Sequence, residues 1–301
     1  MKRFLLTSVA AIAIAAPALG ADLGGAPDYS APSVEPSAAT WAAYFDVHAG
    51  YGMGSEDKVG GIFDYDEDWD ELVAGGAARA AYFISPSFSI QGDAWANYYN
   101  GEADGNGFLG PYDYDFEDTY AGVGGHFTYN AAPGSLVGLL ASYGWALGEG
   151  EDDGFANVGV EAAHEFGAFR LYGQAGYTVG VDGPSEDADT WYGVGKLGYY
   201  FNDNMVLSGS FGYGSTDWSG ADQDILSWGA SFEAKPWQAP VSIYAAYQGT
   251  HWESGSGSID VDGDEHVFLL GAKFMMNSST IRERDQTVGL KDMNPIFGDF
   301  P

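Results

Sequence analysis

Three observations predict an all-β chain folded as a transmembrane antiparallel up-and-down β-barrel of about 12 strands. Twelve segments alternate apolar and polar residues, the connections between them alternate short and long, and acidic charge collects in the long ones. The elements that carry this reading follow in chain order.

The chain opens Met1-Lys2-Arg3, runs through an apolar stretch from Phe4 to Ala16, and places small residues at Ala18 and Gly20. A basic start, a short apolar stretch and small residues before the cut predict a secretory signal peptide over 1–20. A membrane anchor is the alternative, but it needs about 20 apolar residues, and Pro17 and Gly20 interrupt a shorter run. Residues 21–40 carry Pro27, Pro32 and Pro36 and show no apolar period. That composition predicts a periplasmic linker.

The formal charge is −32, from 43 acids against 11 Lys and Arg. Loss of residues 1–20 removes Lys2 and Arg3 and no acid, so the mature chain is more negative still. Nucleic acid is excluded as a partner, because phosphate binding needs a basic face. Cysteine is absent, although an exported chain enters a compartment where disulfides form. Cohesion must come from another source, and a closed hydrogen-bonded barrel provides one. Counts of 20 Tyr, 18 Phe, 9 Trp and 45 Gly, with no later run of 18 apolar residues, suit strands rather than helices as the spanning elements.

From Trp41 onward the period is two, with segments of ten to fourteen residues. In the third, Phe88, Ile90, Gly92, Ala94, Ala96 and Tyr98 share one face, while Ser89, Gln91, Asp93, Trp95 and Asn97 share the other. Phe169, Leu171, Ala175, Tyr177 and Val179 oppose Arg170, Tyr172, Gln174 and Thr178 in the same way, as do Met205, Leu207, Phe211 and Tyr213 against Ser208 and Ser210. One face reads as lipid and the other as water. A soluble β-sandwich alternates too, so the connections decide.

Tight turns are expected at Ser85-Pro86, Asn130 to Ser135, Gly167, Asn202 to Asn204 and Lys235 to Ala239. Six longer hydrophilic links are expected at Gly54 to Glu71, Asn100 to Asp118, Glu149 to Asp153, Asp182 to Asp189, Ser215 to Asp224 and Glu253 to Glu265. They hold 30 of the 43 acids and one base, Lys58, so the charge belongs to a single rim. Short turns on the periplasmic side and longer loops outside are the layout of bacterial outer-membrane barrels, and the barrel is therefore expected over 41–276 in a Gram-negative outer membrane. Two aromatic girdles are expected at headgroup depth. The lower holds Tyr82, Phe88, Tyr129, Phe166, Phe169, Phe201, Phe232 and Phe274; the upper holds Tyr98, Tyr143, Trp145, Tyr177, Trp191, Trp228 and Tyr247. Residues 277–301 are left as a periplasmic C-terminal tail.

The opening Ala21-Asp22-Leu23, the Pro-spaced linker, and Trp41-Ala42-Ala43-Tyr44-Phe45 leading to Gly50-Tyr51-Gly52 resemble the start of alphaproteobacterial outer-membrane β-barrel proteins of the porin-like superfamily. The likeness covers about 35 residues and rests on loose motifs. The last strand, Leu269 to Met276 with Gly271 and Phe274, resembles the terminal signal read by the barrel-assembly machinery, which the resemblance implies as a partner. It departs in having Leu269 where a polar residue is usual, and in the 25 residues that follow Met276.

Turning polar residues inward puts Asp46, Arg79, Asp93, Glu161, Arg170, Lys196, Glu233 and Lys273 in the lumen near the short-turn end. Such a set either narrows a pore or closes a solid barrel, since opposed charges attract strongly in a confined space. The first case gives a small porin for passive diffusion of ions or small hydrophilic solutes, its acidic rim favouring cations. The second gives a structural or adhesive barrel among outer-membrane lipid and lipopolysaccharide. Asp260, Asp262 and Asp264 invite a metal reading, but the EF-hand spacing is missing. Diffuse Ca²⁺ or Mg²⁺ at the loops is expected in place of a dedicated cofactor site. Among the histidines, His48 and His126 fall inward, and His164 and His251 fall on or near the lipid-facing register at a rim. A hydrolase needs a nucleophile within reach of its base. His126-Phe127-Thr128-Tyr129 lacks the outer-membrane phospholipase pattern, so no enzyme is expected.

Overall fold

The computed structural model of the chain describes residues 40–60, 64–107, 110–132, 134–147, 153–183, 186–218, 221–256 and 259–288. The signal peptide over 1–20, the linker short of Thr40, most of the Glu149 to Asp153 link and the tail from residue 289 lie outside them.

Twelve antiparallel strands follow one another around a closed ring: β1 (Trp41–Val59), β2 (Tyr65–Ser85), β3 (Phe88–Gly107), β4 (Gly110–Ala132), β5 (Ser135–Leu147), β6 (Asp153–Phe166), β7 (Phe169–Asp182), β8 (Ala188–Asn202), β9 (Met205–Trp218), β10 (Ala221–Ala234), β11 (Val241–Ser256) and β12 (Ile259–Met276). The first strand closes the ring on the last, with Ala43 opposite Met276 and Val59 opposite Asp260. Closure gives every strand two neighbours, so no edge of unpaired backbone faces lipid. One helix, α1 (Ile281–Thr287), follows β12. No helix among the described residues is long and apolar enough to cross a membrane.

The period of two sorts the wall. Val47, Ile90, Val123, Leu139, Val160, Leu197, Phe211 and Leu270 stand exposed on the outside, an apolar band too extensive for a protein in water. Tyr82, Phe88, Tyr129, Phe166, Phe169, Phe201, Phe232 and Phe274 are exposed toward the short-turn side of that band, as a girdle requires. Their ladder neighbours touch: Phe169 lies 5.6 Å from Phe166 and 5.0 Å from Tyr199 between ring centroids. Tight turns fall where expected. Gly167 (φ +59) and Gly134 (φ +71) occupy the left-handed conformation that a side chain resists, and Asn202 Oδ1 accepts from the Asn204 N–H at 2.8 Å.

The other rim differs from the sequence reading. Most of the long acidic links are strand: β1 and β2 stay in register out to Lys58–Tyr65, and β3 and β4 out to Gly107–Gly110. Strands therefore run 13 to 23 residues rather than ten to fourteen. Acids alternate with aromatics in these segments, and the aromatics stack into ladders that hold the hairpins straight. Tyr112 and Tyr114 lie 6.3 Å apart, and Trp69 reaches Trp252 of β11 at 6.0 Å. Tyr112 and Tyr114 each donate to Glu67 at 2.9 Å.

Inside, tyrosines from around the ring fill much of the lumen. Tyr44, Tyr99, Tyr172, Tyr192 and Tyr244 are buried in the lumen, with Val73, Val267 and Leu269 forming an apolar cluster around Tyr99 and Tyr244. Tyr192 lies flat on Gly176, where a Cβ would stand 2.4 Å from its hydroxyl. Other inward residues of β8 to β11 stay half-exposed: Val194, Lys196, Ser210, Ser227, Gly229, Ser231, Gln248 and Thr250. They form a strip of mostly small and polar side chains along the inner wall.

Candidate functional site: the lumen and its short-turn mouth

All eight predicted lumen charges point inward, and the structure divides them into two clusters and a pair, Arg170 and Lys196, beside α1. The first cluster centres on His126. Its Nδ1 lies 2.8 Å from Glu161 Oε1, and its Nε2 lies 2.9 Å from Asp93 Oδ2, off the N–H line, as a charge contact. Tyr172 donates to Glu161 at 3.0 Å, and Arg79 Nε stands 3.5 Å from Asp93. The ring thus stands between two carboxylates, hydrogen-bonded to Glu161 through Nδ1 and in contact with Asp93 through Nε2. Every member sits on a different strand: β2, β3, β4, β6 and β7. This cluster therefore ties one half of the wall across its inner face.

The second cluster centres on Glu233. Lys273 Nζ lies 3.3 Å from Oε2, Ser242 donates to Oε1 at 2.5 Å, and Arg284 of α1 grips both oxygens, its Nη2 at 3.0 Å. Nearby, Asp46 accepts from Tyr244 at 3.0 Å and pairs with His48 at 2.8 Å. Lys273 stands over the Tyr244 ring at 4.6 Å.

The helix is the part that sequence reasoning missed. Residues 277–288 turn back into the mouth of the barrel. Ile281 is fully buried against Tyr200 and Val206, and Val288 fully buried against Ala42, Tyr44 and Ala81. Those contacts lie on β8–β9 and β1–β2, on opposite walls, so α1 bridges the lumen. Arg282 pairs with Glu165 and donates to the Gly167 carbonyl, and its backbone N–H donates to the Asp203 carbonyl at 3.0 Å. Gln286 donates to Glu165, and Tyr200 to Asp285 at 2.8 Å. Both turn contacts belong to the short-turn rim. A signal was present in Thr280-Ile281-Arg282-Glu283: Thr280 Oγ1 accepts from the Glu283 N–H at 3.1 Å, and Glu283 Oε2 accepts from the Ser279 N–H at 2.7 Å, a capping pair one residue wider than the usual box.

Arg170 and Lys196 line a cavity between the wall and α1, together with Lys273, Arg284, Glu233 and Asp285. At the outer rim the metal reading changes membership. His251, Asp262 and Asp264 bring ligand atoms within 4.8 Å of one another, while Asp260 lies outside the group because the strand carries it further out. One imidazole and two exposed carboxylates fall short of the six to eight oxygens calcium takes. His251 Nδ1 lies 3.0 Å from Asp264 and Nε2 3.4 Å from Glu253. Burial works against its protonation, but hydrogen bonds donated to Glu253 and Asp264 and the nearby charges outweigh it, and the pKa rises above the ordinary value. The protonated form is thus favoured by folding: the gain is complete below about pH 6.5 and fades as pH climbs through the raised value. NMR titration of the ring is expected to give a midpoint above that of a free histidine and a lower one in Asp264→Asn. A midpoint that does not move in the variant removes this account.

An apolar exterior band between aromatic girdles, a closed twelve-stranded ring and a charged lumen define an outer-membrane β-barrel protein. The fold is similar to that of an outer membrane channel from Pseudomonas putida F1, with 11% identity, a TM-score of 0.52, and 81% of this chain and 98% of that one covered. It is also similar to a mutant of the TodX monoaromatic hydrocarbon channel, with 7% identity, a TM-score of 0.51, and 80% and 92% covered. No protein-family model matches the chain, and no curated protein matches it.

Proposed function

We propose that this barrel is a narrow channel for passive diffusion of small hydrophilic solutes or ions, with an acidic outer rim that favours cations, and that it is kin to the porin-like barrels its first residues resemble. The half-exposed strip along β8 to β11 carries the reading. Its Ser, Gln, Thr and Lys side chains give a passing solute hydrogen-bond partners, where a path for aromatic hydrocarbons would be lined by apolar groups. Passage past the short-turn mouth needs the helix to shift.

A non-conducting structural or adhesive barrel is the second reading, and the tyrosines buried in the lumen with α1 across the mouth favour it. On either reading lipopolysaccharide and outer-membrane lipid surround the barrel, its assembly machinery inserts it, and the rim acids attract Ca²⁺ or Mg²⁺ diffusely. We assign it no catalytic step.

Planar-bilayer recording separates the two. The full chain is expected to give small, intermittent conductance steps, larger ones when α1 is released, and cation preference under a KCl gradient. The Debye length falls from about 10 Å at 0.1 M salt to about 3 Å at 1 M, so the preference should fade with salt. Replacing the acids from Asp64 to Glu71 and from Asp113 to Asp118 by Asn and Gln should reduce it in dilute salt. Silence from both the full chain and the released form would establish the structural reading.

A further inference from the structure

We propose that the cavity between α1 and the β7–β8 wall is a binding site for a small oxyanion of the phosphate or carboxylate class, with Arg170 and Lys196 as its principal ligands. The proposal goes beyond passive diffusion and stands whether or not the barrel conducts. Arg170 and Lys196 are diagonal neighbours on paired strands, since Arg170 lies opposite Gly198 and Lys196 opposite Tyr172. Both face inward. Two cations so placed repel, and strongly where little water screens them. Lys273 from β12 and Arg284 from α1 complete a ring of four cations, and the cavity holds two carboxylates, Glu233 and Asp285.

Both carboxylates are engaged on both oxygens. Glu233 accepts from Ser242, Lys273 and Arg284; Asp285 accepts from Arg284 through Oδ1 and from Tyr200 through Oδ2. Glu165, opposite Arg170 in the β6–β7 ladder, is engaged by Arg282 and Gln286. The consequence falls on Arg170, whose Nη2 is buried without a hydrogen-bond partner. An unmatched guanidinium N–H in a confined space is costly. An oxyanion answers it, because the guanidinium fork matches two oxygens at once and the ammonium of Lys196 adds a point charge. Tyr172 and Tyr200 and the hydroxyls of Ser208 and Ser231 line the same space, which limits the ligand to a few heavy atoms. Lys196 and Ser231 also belong to the half-exposed strip of β8 to β11, so the cavity is not sealed from the rest of the lumen.

Calorimetric titration of the full chain in detergent micelles at low chloride, with inorganic phosphate and separately with succinate, tests this. Saturable one-to-one binding of at least one is expected, weakened tenfold or more in Arg170→Gln and in Lys196→Gln and unchanged in Lys58→Gln at the outer rim. Heat-modifiable gel migration confirms that each variant has folded. Absence of saturable binding for both anions, or equal affinity in the folded Arg170→Gln and Lys196→Gln proteins, overturns the site.

Discussion

Replacing His126 by leucine is expected to destabilise the folded barrel by about 3–5 kcal/mol, the range seen when one partner of a buried ion pair is removed. The side chain is fully enclosed and stands between Asp93 and Glu161, also enclosed. Leucine fills the space but removes the ring that bridges the two carboxylates, leaving Asp93 to Arg79 and Gln91 and Glu161 to Tyr172. Urea unfolding in detergent or lipid, followed by tryptophan fluorescence, measures the loss. The combined His126→Leu, Glu161→Gln variant, which keeps Asp93 for Arg79, should recover part of it, since the Glu161 side chain is then neutral. A single variant as stable as the parent would show that the cluster contributes nothing net.

The second large effect is expected at Glu233. Substitution by alanine leaves Arg284 and Lys273 facing each other with their shared partner gone. The penalty is again about 3 kcal/mol or more, over a hundredfold in a docking equilibrium. The helix should leave the mouth, exposing Arg282 and Arg284 to trypsin. Cleavage in the folded barrel is expected to be at least tenfold faster than in the parent, with larger conductance steps. Arg284→Ala with Glu233→Ala should release the helix too, while Glu283→Gln at the exposed end of the cap should change little. Equal trypsin resistance in Glu233→Ala and the parent would mean that other contacts hold α1.

How much of this could be read from the chain differs by level. Strand number, facing and the tight turns were legible, because a period of two puts Phe88, Ile90 and Tyr98 opposite Ser89, Gln91 and Asn97 whatever the rest of the chain does. Inward placement of all eight lumen charges follows from the same rule. Partner choice does not, since Asp93 meets His126 and Arg79 only once β2, β3 and β4 are in register. The acidic segments misled for a physical reason: Asp64 to Glu71 is hydrophilic enough for a loop, yet Tyr65 and Trp69 pair across strands and extend the sheet. Residues 277–288 gave no apolar stripe, because α1 is held by Arg282 and Arg284 as much as by Ile281 and Val288. A helix that docks through charge leaves little trace in hydropathy.

Pairing of the first strand with the last also orders events in time. Ala43 meets Met276 only after every intervening hairpin is in place, and contacts so distant in sequence form late. The docking sites of α1 come from β1, β6, β8 and β10, strands that share one mouth only in the closed ring. An open sheet offers Ile281 its seat on β8–β9 but keeps the β1–β2 seat of Val288 at its far edge, so the helix spans the mouth only once the ring has closed.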